Sequence, residues 1–327
     1  MVETVVSIGL PVDENMIIQK NRLQPDVLNG DEKRFLVVTG THGDELEGQY
    51  VCYELIRRIN EHRECLKGIV DVYPDINPLG INSINRGVPM FDLDLNRIFP
   101  GNPDGHMAEY AAYQIIEDMK GADGAVDIHA SNIFLREIPQ VRMSIDTSKR
   151  LLPIAKKINV DYIWVHSSAT VLESTLAHTL NSMDIPTLVV EMGVGMRLTR
   201  EYCDQLIDGI FNVLIDMGIW EGEPIPVKEP IISTDGQVSF VNANASGVFV
   251  PCIEHWRSVK EGEKLGEIVS PLTGEVCEEL FSKVDGMVFT LREYPVVVEG
   301  ALIARILGGV SVAEGDMKNS ASIAEEM

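Results

Sequence analysis

The chain has 327 residues, of which 45% are hydrophobic and 24% charged, and its formal net charge is −23. These proportions predict a soluble globular protein of two domains, and so acidic a chain repels phosphate backbones, which excludes nucleic-acid binding. No apolar run approaches the roughly 18 residues that a membrane span needs, so we expect no membrane association. Five scattered cysteines and an N-terminus without a signal sequence indicate a cytoplasmic protein with reduced thiols.

Apolar strands alternate with amphipathic helices over the first two thirds of the chain. Strands are predicted at residues 35–39, 69–73, 125–129, 140–145, 162–166 and 187–191. Helices are predicted at residues 45–59, 107–119, 171–182 and 199–217. This alternation predicts an α/β fold with a mixed, largely parallel sheet flanked by helices.

The pattern changes at residues 221–230, where three prolines and three acids indicate a linker. We therefore expect a catalytic domain at residues 1–222, a linker at 223–230 and a small C-terminal all-β domain at 231–308. Short β-type runs between turns support the last of these. Residues 309–327 are small and polar, and we expect them to be a disordered tail.

The most informative motif is His42-x-x-Glu45, which follows the strand at 35–39 and precedes the helix at 45–59. Such pairs also arise by chance, and the chain holds a second one, His106 and Glu109. Ligands in open α/β sheets bind beyond the carboxyl ends of strands, which favours the first pair. No strand precedes His106, so we expect it to lie in a loop or at a helix start. Gly40 and Gly43 are expected to leave room for a ligand near the backbone.

A catalytic zinc ion usually has three protein ligands and a water molecule, so a third ligand is needed. His129 is the best candidate, because it ends the apolar strand at 125–129. His166 also ends a strand and is the alternative. Together, His42, Glu45 and one of these histidines predict a metal site at the edge of the sheet.

Two further segments carry groups suited to a hydrolase. Asp94-Leu95-Asn96-Arg97 places an amide beside a guanidinium, and this pair can bind a substrate carboxylate. Glu191 ends the apolar strand at 187–191, and a carboxylate there can serve as general base towards a metal-bound water.

These motifs, in this order, resemble the succinylglutamate desuccinylase/aspartoacylase group of the zinc carboxypeptidase superfamily. The resemblance rests on the sequences Gly-Thr-His-Gly-Asp-Glu-Leu-Glu-Gly at 40–48, Asp-Leu-Asn-Arg-Ile-Phe-Pro-Gly at 94–101 and Asp-Ile-His at 127–129. It covers residues 30–220 and, more loosely, the C-terminal unit. It implies one Zn²⁺ per chain, bound by His42, Glu45 and His129, with Glu191 as general base and proton donor.

The resemblance also implies the groups that surround the metal. Asn96 and Arg97 would hold the α-carboxylate of the substrate, and Asp94 would orient His42. Arg86 would polarise the scissile carbonyl. Arg136 or Arg142 could contact a distal group of the substrate, and the residues alone do not choose between them.

The predicted activity is that of a zinc-dependent amidohydrolase that removes the acyl group from an N-acyl amino acid, a small-molecule substrate. Two alternatives stay open: a carboxypeptidase acting on short peptides, and a non-catalytic binding protein on the same fold. The C-terminal unit is similar to a biotinyl/lipoyl carrier fold, but Lys260 and Lys283 lack the setting of a carrier lysine. We expect a lid or a contact between copies in a homo-oligomer instead, testable by deleting residues 229–327.

Overall fold

The computed structural model describes residues 1–167 and 173–309. Its helices are α1 (Glu47–Glu61), α2 (Pro78–Ser83), α3 (Met107–Met119), α4 (Ile145–Ala155), α5 (Leu176–Ser182) and α6 (Arg200–Asp216). In the N-terminal two thirds its strands are β1 (Val2–Leu10), β2 (Glu14–Leu23), β3 (Arg34–Val38), β4 (Ile69–Tyr73), β5 (Gly124–Ala130), β6 (Leu135–Ser144), β7 (Tyr162–His166) and β8 (Thr187–Gly193). The predicted tail at 309–327 lies, beyond Gly309, outside the described residues.

The C-terminal third is built from strands. They are β9 (Ile231–Thr234), β10 (Val238–Asn242), β11 (Gly247–Pro251), β12 (Arg257–Val259), β13 (Lys264–Val269), β14 (Val276–Phe281), β15 (Gly286–Arg292), β16 (Val296–Val297) and β17 (Leu302–Gly308). Residues 221–230, where the linker was predicted, contain neither helix nor strand.

A 13-stranded mixed sheet organises the molecule, and this confirms the predicted fold class. Strand β3 lies parallel to both β4 and β5, and β5 lies parallel to β8. Strand β6 is antiparallel to β8 and continues the sheet into the C-terminal unit through β15 and β17. A separate four-stranded antiparallel sheet, β14-β13-β11-β16, completes that unit.

Helices cover both faces of the large sheet. Residues of α1, α4 and α6 pack in one apolar core, and residues of α3 and α5 pack in another. Helix α1 shows why: Val51, Leu55 and Ile59 follow the helical period along one side and are fully buried. No helix among the described residues is long and apolar enough to cross a membrane.

The structure differs from the predicted elements at several points, among them the short helix α2, which was not predicted. Helix α5 begins at Leu176 rather than at residue 171, and residues 168–172 lie outside the described part of the chain. The antiparallel hairpin β1–β2 and helix α4 were not predicted. In β1 only Val6 is buried, whereas β2 alternates, with Met16, Ile18 and the charged Lys20 buried, so a polar residue interrupts its apolar pattern.

Candidate metal centre

His42 and Glu45 lie in the loop that joins β3 to α1, at the carboxyl end of the strand. Both are buried, and His42 Nδ1 lies 2.7 Å from Glu45 Oε1. Gly43 between them was expected to leave room for a ligand, but this expectation is wrong. A Cβ at Gly43 would lie 2.0 Å from the carbonyl carbon of Gly80. The space beside Gly43 is therefore filled by the backbone of Gly80 and is not open to a ligand.

His129 reaches the same point from the end of β5. Its Nδ1 lies 3.0 Å from Glu45 Oε2 and 3.3 Å from His42 Nδ1. The structure thus brings together the three predicted ligands, with one donor atom from each within 4.8 Å of the others. Two imidazoles and a carboxylate form the donor set of a catalytic zinc site, so these residues fit the ion that the motifs imply.

A carboxylate lies behind each histidine. His42 Nε2 is 3.1 Å from Asp94 Oδ1, and His129 Nε2 is 3.1 Å from Asp127 Oδ2. Asp127 was not assigned a role from the sequence, although residues two apart on a strand share a face. Such carboxylates fix the ring orientation of metal-binding histidines, which leaves each Nδ1 directed at Glu45.

The carboxylates of the centre stabilise positive charge on both histidines. Burial alone would lower the pKa of His129, but Asp127 and Glu45 outweigh it and hold that pKa well above its ordinary value. Burial likewise opposes the charged form of His42, but Asp94 and Glu45 raise its pKa. An environment that stabilises positive charge on both imidazoles is one that a divalent cation would also occupy favourably.

Arg86 lies beside the ligand carboxylate. Its Nη1 donates to Glu45 Oε1 at 2.9 Å, and its Nε lies 3.6 Å from Asp94 Oδ2. The side chain is 41% exposed, so it can contact both a ligand and the centre.

Asn96 and Arg97 occupy a short 3₁₀ turn that Asp94 caps through the amide of Asn96 at 2.9 Å. The Asn96 Oδ1 accepts from the backbone amide of Leu176 at 2.9 Å, which fixes the orientation of the side-chain amide. Arg97 is 44% exposed, and its nearest carboxylate oxygen belongs to Asp94 at 3.9 Å. The Nη1 of Arg97 donates to the backbone carbonyl oxygen of Asn96 at 2.8 Å, so the guanidinium is anchored there but has only a distant carboxylate partner.

Glu191 lies on β8 with its side chain on the face opposite that of Val190 and Met192, which are buried in the core. Burial raises the pKa of Glu191 above its ordinary value, although Arg142 and His129 oppose this shift. The Nη1 of Arg142 lies 3.5 Å from Glu191 Oε1.

One cavity of about 660 Å³ connects these groups. All the predicted site residues except Asp94 line it: His42, Glu45, Arg86, Asn96, Arg97, His129 and Glu191. Arg142 lines it as well, whereas Arg136 does not and lies 3.6 Å from Glu293 instead.

The rival histidines have other roles. His106 caps helix α3 in a reciprocal arrangement in which its backbone amide donates to Glu109 at 3.0 Å, so the expected helix-start position is confirmed. His166 lines the cavity, but its Nδ1 pairs with Asp235 Oδ1 at 2.9 Å. His166 is therefore not one of the three converging ligands.

Comparison with known proteins gives a consistent result. Residues 31–216 match the family model of the Succinylglutamate desuccinylase/Aspartoacylase catalytic domain. The N-alpha-acetyl-L-2,4-diaminobutyric acid deacetylase of Halomonas elongata is 27% identical over 284 residues, which cover 83% of this chain and 81% of that protein.

Two solved structures show how far the fold is shared. A succinylglutamate desuccinylase/aspartoacylase from Rhodobacter sphaeroides superposes with a TM-score of 0.79 and 25% identity, covering 94% of this chain and 95% of that one. The product-bound ectoine utilization protein EutE (DoeB) of Ruegeria pomeroyi gives a TM-score of 0.80 and 23% identity, covering 93% and 94%. The likeness thus extends over both the N-terminal two thirds and the C-terminal unit.

Proposed function

Because this chain belongs to the succinylglutamate desuccinylase/aspartoacylase family, we propose that it is a zinc-dependent hydrolase that removes the acyl group from an N-acyl amino acid. The observation that carries the proposal is the convergence of His42 Nδ1, His129 Nδ1 and the Glu45 carboxylate in one buried place. We propose that these three residues hold one Zn²⁺ per chain. When bound, zinc supplies a Lewis acid that lowers the pKa of water from about 15.7 towards 7.

The surrounding side chains then have distinct tasks. Glu191 accepts a proton from the attacking water and returns it to the leaving amine as the amide C–N bond breaks, which releases a carboxylate and an amino acid. Arg86 donates to the developing oxyanion from its place beside Glu45. Asn96 and Arg97 bind the α-carboxylate, since Arg97 is exposed and its nearest carboxylate partner is 3.9 Å away.

The charges in the cavity favour a neutral acyl group. Arg142 and Arg305 line it, but both already pair with the carboxylate of Glu137. Arg86 pairs with Glu45, which leaves Arg97 as the arginine best able to bind a substrate carboxylate. We therefore propose an N-acetyl amino acid rather than an N-succinyl one, and the name of the Halomonas elongata relative agrees with an acetyl group.

The test is kcat/KM of the zinc-loaded protein across acetyl-, succinyl- and formyl-amino acids and short dipeptides, with Glu191→Gln beside it. We expect Glu191→Gln to keep its zinc and to lower kcat by about 10²–10⁴-fold. Glu279→Gln, which removes an exposed carboxylate paired with Lys264, is the matched control and should behave as wild type. A zinc-loaded wild type no faster than Glu191→Gln on every substrate would instead identify a binding protein.

A further inference from the structure

The C-terminal unit contributes a charged side chain to the wall of the cavity. Strand β15 pairs with β6, with Thr290 opposite Glu137, and β17 follows β15 in the sheet. This pairing brings Arg305 of β17 into the lining of the cavity, beside residues of the N-terminal two thirds.

Glu137 is the centre of a buried ionic chain. It is 1% exposed, and its Oε2 accepts from Arg142 Nη2 at 2.5 Å. Its Oε1 accepts from Arg305 Nη1 and, at 3.3 Å, from the hydroxyl of Thr290. Each oxygen of this carboxylate is therefore held by its own guanidinium, one from each part of the chain.

The ring of Trp164 lies close to both guanidiniums. The guanidinium carbons of Arg142 and Arg305 each lie 5.6 Å from the centroid of its ring, and Arg305 also lies 5.9 Å from that of Phe240. Planar guanidiniums stack on aromatic rings in a way that an ammonium group cannot reproduce. The position of Arg305 is thus set by its cation–π contact with Trp164 as well as by its ion pair.

The chain of charges ends at the proposed base, because Arg142 Nη1 lies 3.5 Å from Glu191 Oε1. The order Arg305, Glu137, Arg142, Glu191 alternates in sign and balances two positive charges against two negative ones. We infer that Arg305 is a positioning residue: it holds Glu137 from the far side and so fixes Arg142 beside Glu191. This inference rests on the proposed function only in that Glu191 is taken as the base.

Removing Arg305 should act through Arg142. With its other guanidinium gone, Glu137 would depend on Arg142 for all its charge neutralisation and would draw it away from Glu191. Small displacements at a reacting centre are costly, so Arg305→Met should lower kcat by about 10–100-fold. KM should change much less, because Asn96 and Arg97, the residues assigned to the α-carboxylate, contact none of these four charged side chains.

The test is a double-mutant cycle in kcat with Arg305→Met, Arg142→Met and the double variant. If Arg305 acts through Arg142, the loss caused by Arg305→Met disappears in the Arg142→Met background. Arg305→Lys should recover only part of the activity, because it keeps the charge and loses the planar guanidinium with its several fixed N–H donors. Arg257→Met is the control, since Arg257 also belongs to the C-terminal unit but pairs with Glu263 at the surface.

A second cycle with the same variants, in urea unfolding, needs no substrate. Non-additive changes in both cycles support the inference. Equal losses of kcat in the two backgrounds, or a change in KM as large as that in kcat, would overturn it while leaving the hydrolase intact. A wild-type protein that hydrolyses nothing in the panel would overturn the proposed function instead, and with it the assignment of Glu191 on which this role depends.

Discussion

A substitution at Gly43 tests what holds the β3–α1 loop, which carries His42 and Glu45, in place. It lies between His42 and Asp44, and its amide is 3.1 Å from the carbonyl oxygen of Asn85. A Cβ at Gly43 would lie 2.0 Å from the carbonyl carbon of Gly80 and 2.3 Å from the amide nitrogen of Ile81. Both neighbours are backbone atoms, so no change of rotamer relieves the contact.

The size of the effect follows from that distance. Carbon atoms pack at about 3.5 Å, so Gly43→Ala must separate the loop from the 80–81 backbone by about 1.5 Å. Overpacking of this kind costs about 1–3 kcal/mol of unfolding free energy. Metal–ligand distances tolerate only about 0.2 Å, so the displaced His42 should also weaken zinc binding by more than about tenfold.

Two assays check this prediction. Urea unfolding of the metal-free protein measures the free energy, and competition with a chelator measures zinc affinity. Gly9→Ala is the matched control, because a Cβ at Gly9 would meet only the side-chain oxygen of Asn15, at 3.9 Å. The control should stay within about 1 kcal/mol of wild type. If Gly43→Ala matches Gly9→Ala in both assays, the close packing of the loop against residues 80–81 is not what holds His42.

Three further predictions concern individual contacts. Asp94→Asn should weaken zinc binding by about 10–100-fold in chelator competition, because it loosens the carboxylate that orients His42; unchanged affinity would refute this role. Arg142→Met should raise the pKa of Glu191 further, because it removes a nearby cation. The pH below which kcat/KM falls should therefore move to a higher value. An unchanged pH profile would contradict the contact between Arg142 and Glu191. Arg97→Lys should raise KM by about tenfold through loss of bidentate binding, and an equal rise for a substrate amide without the α-carboxylate would exclude that role.

The sequence predicted the parts of the site that depend on local order. His42, His129 and Glu191 each follow or end a buried apolar strand, and parallel strands bring their carboxyl ends to one edge of the sheet. Strand order did not have to be known for this argument, because any arrangement of β3, β5 and β8 as parallel neighbours gathers these residues. The convergence of His42, Glu45 and His129 follows from that simple geometry.

Residues that depend on antiparallel pairing could not be found in the same way. Arg305 reaches Glu137 only because β6 pairs antiparallel with β8 at one edge and with β15 at the other. Nothing in the local pattern of β6 indicates which strand, more than 100 residues later, will pair with it. Asp127 was missed for a different reason: its distance to the ring of His129 depends on the rotamers of both side chains, which spacing does not specify.

The same pairing decides how the C-terminal unit can be tested. Deletion of residues 229–327 was suggested by the sequence as a test of a lid, but β9 pairs with β7 and β15 pairs with β6. The deletion would remove the partner strands of β7 and β6 and leave both of those strand edges exposed. Lost activity in such a variant would therefore report a damaged sheet. Point substitution at Arg305, which leaves every strand paired, separates a contribution to the site from a contribution to the framework.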